Sequence, residues 1–124
     1  MTYIAGTEAP TFELDDITVV GLAAPSRGSS ENCAWTLRVR AGTPGVEHSV
    51  DREEIFIGIG GSATATVDGR PYRLGTGDAL IVPANTPFSI ANPGADEFTA
   101  VCVLPIGGVA TMPDGQSVTP PWSL

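Results

Sequence analysis

The chain is poor in histidine, cysteine and lysine. It contains one histidine, His48, and two cysteines, Cys33 and Cys102. It has no lysine, so all six basic residues are arginine, against 14 acidic ones. The resulting formal charge of −8 argues against nucleic acid and anionic membrane as partners. No apolar run approaches the roughly 20 residues needed to cross a bilayer. No basic N-terminal region precedes an apolar one, so no secretion signal is expected and a cytoplasmic location is the default. The cysteines are far apart and form no CxxC pair, which favours free, buried thiols over a disulfide or a metal site. No segment shows a convincing helical period.

Glycine, proline and alternating apolar residues are plentiful instead, with 15 glycines and 11 prolines punctuating nearly every junction. At 124 residues the chain is expected to form one domain, 1–124, around a single core. Residues 1–11 read as an arm or short edge strand. Phe12 to Val20 reads as a strand broken at Asp15-Asp16. Cys33, Trp35, Leu37 and Val39 alternate with Ala34, Thr36, Arg38 and Arg40, which makes a strand with one buried face. Periodicity alone leaves open which face turns inward; Arg38 or Arg40 facing inward would favour a carboxylate ligand. Ile55, Ile57 and Ile59 alternate with Glu54, Phe56 and Gly58. Both sets are fairly apolar, so this strand reads as covered on both sides. Asp68-Gly69 is a strong two-residue hairpin signal between Ser62–Val67 and the strand of Tyr72 and Leu74. Further short strands are expected at 79–83, 88–91 and 97–104. Eight to nine short antiparallel strands at spacings of roughly 8 to 12 residues indicate an all-β sandwich or barrel. The Pro/Gly-rich tail, 105–124, contains Ile106, Val109, Met112 and Trp122. They are costly to leave in water, so the tail should pack on the body or on a second subunit.

Two stretches stand out. The first, Gly42 to Gly61, reads GTPGVEHSVDREEIFIGIGG and holds His48 and Glu54. The second, Gly77 to Asn92, reads GDALIVPANTPFSIAN. Gly42, His48, Glu54 and Gly61 fall on the glycine, first-histidine, glutamate and glycine positions of the first cupin motif. Gly77, Pro83 and Asn92 fall on the glycine, proline and asparagine positions of the second. Over about 70 residues, Trp35 to Leu104, the chain therefore resembles the cupin family. The resemblance implies a cupin jelly-roll β-barrel (a double-stranded β-helix) with an internal pocket, often in a homodimer. In typical cupins three histidines and the glutamate bind one metal ion. Here the other two histidine positions are Val50 and Phe88, and an imidazole with one carboxylate is a poor grip for a divalent ion. No cofactor is therefore expected. If a metal bound, His48 and Glu54 would hold it, with Cys102, Glu47 or Asp51 as the only candidates to complete the set.

If the family register holds, alternation turns His48, Val50, Glu54, Phe56, Phe88, Ile90 and Asn92 inward. Trp35 and Cys102 are added as candidate contacts for a small-molecule ligand. Each has a plainer reading: the aromatics as core, Cys102 as an inert buried thiol, Asn92 as a turn residue before Pro93-Gly94. His48 and Glu54 are the candidate catalytic pair, because a carboxylate beside an imidazole can orient it and favour its charged form. That pair fits non-redox isomerase, cyclase or lyase chemistry on a small hydrophobic or aromatic carbonyl compound. A binding or sensing role, in which the pair only orients a ligand, is the alternative.

Overall fold

The computed structural model describes residues 1–124. Twelve strands form two facing walls, all paired antiparallel. The first wall runs in the order β1 (Thr11–Leu14), β2 (Ile17–Ala23), β3 (Asn32–Val39), β10 (Phe98–Pro105), β5 (Glu54–Gly60) and β8 (Ala79–Val82). The second consists of two three-stranded pieces. One is β7 (Arg70–Gly75), β6 (Ser62–Val67) and β9 (Phe88–Ala91); the other is β12 (Ser117–Val118), β11 (Ala110–Thr111) and β4 (Ser49–Val50). An antiparallel bridge between His48 and Phe88 splices the two pieces. The result is an all-β jelly roll.

Alternation explains the inner face. Trp35, Leu37 and Val39 on β3 sit opposite Cys102, Ala100 and Phe98 on β10, and all six are buried. Arg38 and Arg40 point to solvent, which settles the direction of that strand. The Asp68-Gly69 turn joins β6 to β7 with φ of 50° and 81°, the positive pair that a tight two-residue hairpin needs.

Four elements depart from expectation. Asp15-Asp16 does not merely break a strand; it is the turn of a hairpin whose arms, β1 and β2, pair fully. The arm carries a 3-10 turn at Gly6–Glu8 and no strand before Thr11. The two-residue strands β4, β11 and β12 are too short for any period to reveal. Finally, β5 is not covered on both sides: Ile57 and Ile59 are 39% and 49% exposed. The tail packs on the body, with Ile106, Met112 and Trp122 against the core. Its last turn, Pro121–Ser123, is tied down by Arg27 Nη2 donating to Trp122 O (3.2 Å) and Cys33 Sγ donating to Ser123 O (3.3 Å).

Candidate active site

Between the walls lies a cavity of about 410 Å³, at the small end of the range for small-molecule pockets. β3 contributes Trp35, Leu37 and Val39; β5 contributes Glu54 and Phe56; β9 contributes Phe88 and Ile90. The stretch before and through β4 contributes Val46, His48 and Val50. Leu14, Val46 and Val118 line the cavity yet are 52%, 55% and 42% exposed. They mark its mouth, between the β1–β2 hairpin, the loop before β4, and β12. The tail closes the cavity with Pro120, Pro121 and Trp122. The Trp122 ring lies 6.1 Å from both Phe12 and Trp35.

His48 and Glu54 are the only ionisable side chains in the lining, which contains no arginine. His48 is half-buried. Its ring sits 4.4 Å from that of Phe88, and its backbone exchanges two hydrogen bonds with Phe88, at 3.0 and 2.8 Å. Nδ1 lies 2.8 Å from Val46 O. A carbonyl only accepts, so Nδ1 carries a hydrogen, and the neutral ring holds its lone pair on Nε2. Glu54 opens β5 with 6% exposure, and no hydrogen bond or ion pair reaches its carboxyl. Burial alone pushes that carboxyl up to about 8.

A backbone irregularity aims this part of the wall. Thr43 bridges Asn92 and His48 bridges Phe88, so five steps on one side oppose four on the other. The extra residue is a bulge beside Pro44-Gly45, where proline supplies no donor.

Seven of the nine residues expected at the site line the cavity: Trp35, His48, Val50, Glu54, Phe56, Phe88 and Ile90. Two do not. Asn92 has no exposure, and its amide is spent on structure: Nδ2 donates to Val39 O (3.0 Å) and Asp96 O (2.8 Å), and Oδ1 accepts from Gly94 N (3.1 Å). Cys102 is fully buried between Trp35 and Phe56, its neighbours on β3 and β10's other partner, β5. Its thiol is held well above the ordinary value, first by burial and then by the Glu54 charge, with a hydrogen bond from Trp35 opposing. The expected His48–Glu54 contact is also corrected. No hydrogen bond or ion pair joins them, and Val46 O, not Glu54, fixes the imidazole tautomer. The loop between the two residues lets each reach the cavity from a different wall.

The donor set does not fit a divalent ion. No group of three or more His, Cys, Asp or Glu side chains is placed to share one. The residues that would have to complete the set are elsewhere. Glu47 is exposed, Cys102 is sealed, and Asp51 accepts from Val109 N at 2.7 Å.

Sequence periodicity missed the contributions of the two chain ends: Leu14, Ile17 and Val19 on one side, Met112, Val118 and Trp122 on the other. The one available signal was the cost of leaving Met112 and Trp122 in water.

A jelly-roll barrel with an apolar cavity entered from one end defines the class. The cupin domain profile matches residues 35–104, and the chain belongs to that family. No curated protein matches the chain by sequence. Three solved structures illustrate the likeness. The polyketide cyclase RemF from Streptomyces resistomycificus is 16% identical, with a TM-score of 0.77 over 87% of this chain and 81% of that one. An RmlC-like cupin from Shewanella frigidimarina is 16% identical, with a TM-score of 0.72 over 83% and 88%. KdgF from Halomonas sp. is 19% identical, with a TM-score of 0.71 over 85% and 94%. At these identities the likeness is one of fold. No helix is long and apolar enough to cross a membrane.

Proposed function

We propose that the chain is a metal-independent acid–base enzyme of isomerase, cyclase or lyase type. Its substrate is a small hydrophobic or aromatic carbonyl compound held in the barrel cavity. The observation that carries this reading is Glu54: a buried, unpartnered carboxyl in an apolar cavity, pushed up to about 8. Such a group stays protonated at neutral pH and donates a hydrogen bond to a carbonyl oxygen. His48 Nε2, facing the same cavity, takes the proton from the adjacent carbon. The C–H electron pair becomes the new C=C bond, the carbonyl oxygen takes the Glu54 proton, and an enol results. Return of a proton at another position gives isomerisation; loss of a leaving group gives elimination; attack on a second carbonyl gives cyclisation. The absence of any cationic side chain in the lining disfavours anionic substrates. A cyclase among the structural neighbours is consistent with this class of chemistry.

The missing contact between His48 and Glu54 favours a second reading, in which the cavity binds or senses a ligand without turnover. Substitution separates the two. In a panel of apolar carbonyl compounds, a compound that is turned over should lose about 10² to 10⁴-fold in kcat with His48→Ala or Glu54→Gln, while its affinity holds. Unchanged turnover in both variants refutes the catalytic assignment; saturable binding with no turnover by the wild type supports the second reading.

A further inference from the structure

Trp122 carries the only buried side-chain nitrogen or oxygen in the chain that no hydrogen bond satisfies, its indole Nε1. A buried tryptophan ordinarily finds an acceptor for that hydrogen, because an N–H taken out of water and left unpaired is costly. Here the ring packs against Phe12 and Trp35, both at 6.1 Å, with interplanar angles of 64° and 56°. Neither neighbour offers an acceptor lone pair. Packing alone gives no reason for an indole, since a phenylalanine would also meet these rings without bringing an unmet hydrogen.

The orphan donor belongs to a residue of the cavity wall. The turn that carries it is latched at three points. Trp122 O accepts from Arg27 Nη2 at 3.2 Å, Ser123 O from Cys33 Sγ at 3.3 Å, and Leu124 O from Ser26 Oγ at 2.6 Å. All three bonds go to the main chain and none to the indole. Glu54 is the other unpartnered polar group in the wall, and in its protonated form it too has a hydrogen to give. The lining thus holds two hydrogen-bond donors with nothing in the chain to receive them.

We propose that Trp122 is a ligand-binding residue, whose indole N–H donates to an oxygen of the compound held in the cavity. The ring tilts to bring that edge to the ligand while its main chain stays latched. The ligand class follows from the two donors: an apolar compound with two acceptor oxygens, a carbonyl for Glu54 and a second oxygen for Trp122. The role of the first oxygen rests on the acid–base reading above; that of the second does not. A compound with one carbonyl leaves the indole as unmet as it is in the empty chain and gains nothing from it.

The chain holds only two tryptophans, so its indole N–H signals report on this contact directly. In a nitrogen–proton correlation spectrum of the full chain, Trp122→Phe removes one of the two signals and identifies it. Titration with meta- and para-diacetylbenzene should move that proton downfield. The ethylacetophenones of the same shape, with one carbonyl, should not. By calorimetry the better diketone should bind about threefold to tenfold more tightly than its one-carbonyl control. Trp122→Phe should erase that advantage and leave the control's affinity unchanged. In Glu54→Gln the downfield shift should persist, so failure of the acid–base reading is told apart from failure of this one. If Trp122→Phe folds poorly, the wild-type spectra decide alone, because one of the two indole signals should respond and the other stay. Equal affinity for diketones and controls overturns the proposal. So does an advantage that survives Trp122→Phe, an indole signal that ignores the diketones, or no saturable binding of either diketone.

Discussion

Removing the Glu54 carboxyl should change how stability depends on pH, and the size of the change follows from the site. In the folded chain the carboxyl is pushed up to about 8 from an ordinary 4.5 by burial alone. Between those values the unfolded chain has released its proton and the folded chain has kept it. The unfolded state then binds fewer protons, so stability falls as pH rises, by about 1.4 kcal/mol per pH unit. Below about pH 4.5 both states are protonated and the contribution is fully present; above about 8 both are ionised and the loss is complete. A gap of about 3.5 pH units corresponds to roughly 5 kcal/mol, a large part of a domain's net stability. Glu54→Gln keeps the shape but cannot ionise. Its buried amide has a cost, and that cost does not vary with pH. Urea unfolding of both proteins at intervals from about pH 4.5 to 9 isolates the term, since every other titrating group cancels in the difference. The variant should gain on the wild type steadily across this window and level off above about pH 8. A difference that stays flat from about pH 5 to 8 would show that the carboxyl is already ionised in the fold, and the acid role assigned to it would fail with it.

Three further outcomes are expected. Asn92→Ala orphans Val39 O, Asp96 O and Gly94 N, and should cost about 3 kcal/mol in urea unfolding while leaving cavity binding of an apolar dye unchanged. Gly58→Ala places a methyl carbon 2.1 Å from Gly75 O, a backbone atom that cannot give way; loss of more than about 3 kcal/mol, or no folded protein by circular dichroism, should result. Val50→His with Phe88→His should raise bound zinc, measured by elemental analysis, to near one equivalent, while the tag-free wild type retains less than about a tenth.

The alternation of β3 and β10, the Asp68-Gly69 turn and the spacing of the two motifs made the walls legible in the sequence. They also named most of the cavity's inner surface, because β5, β9 and the residues around His48 keep a regular inward period. Asn92 was misplaced because its amide is taken up by the backbone of Val39, Gly94 and Asp96, partners that a period of two does not report. The cavity's mouth was illegible for a different reason. Leu14 stands on the β1–β2 hairpin while Met112, Val118 and Trp122 belong to the tail, so residues that share the cavity lie most of a chain length apart in sequence. The exposed isoleucines of β5 showed the opposite failure. Their apolar character was read as a covered face, and the structure leaves Ile57 and Ile59 exposed.

The splice between the two pieces of the second wall sets a mechanical limit on what the barrel can hold. His48 and Phe88 join those pieces through their backbones, and the same two residues present their rings to the cavity. A guest too wide for the space presses the pieces apart at that seam, because the first wall is a continuous ladder and the second is not. Opening the seam breaks the His48–Phe88 pair and carries the imidazole out of alignment. Oversized guests would thus displace the His48 imidazole by the act of entering, so the barrel's upper size limit would be kept by two backbone hydrogen bonds as well as by side-chain volume.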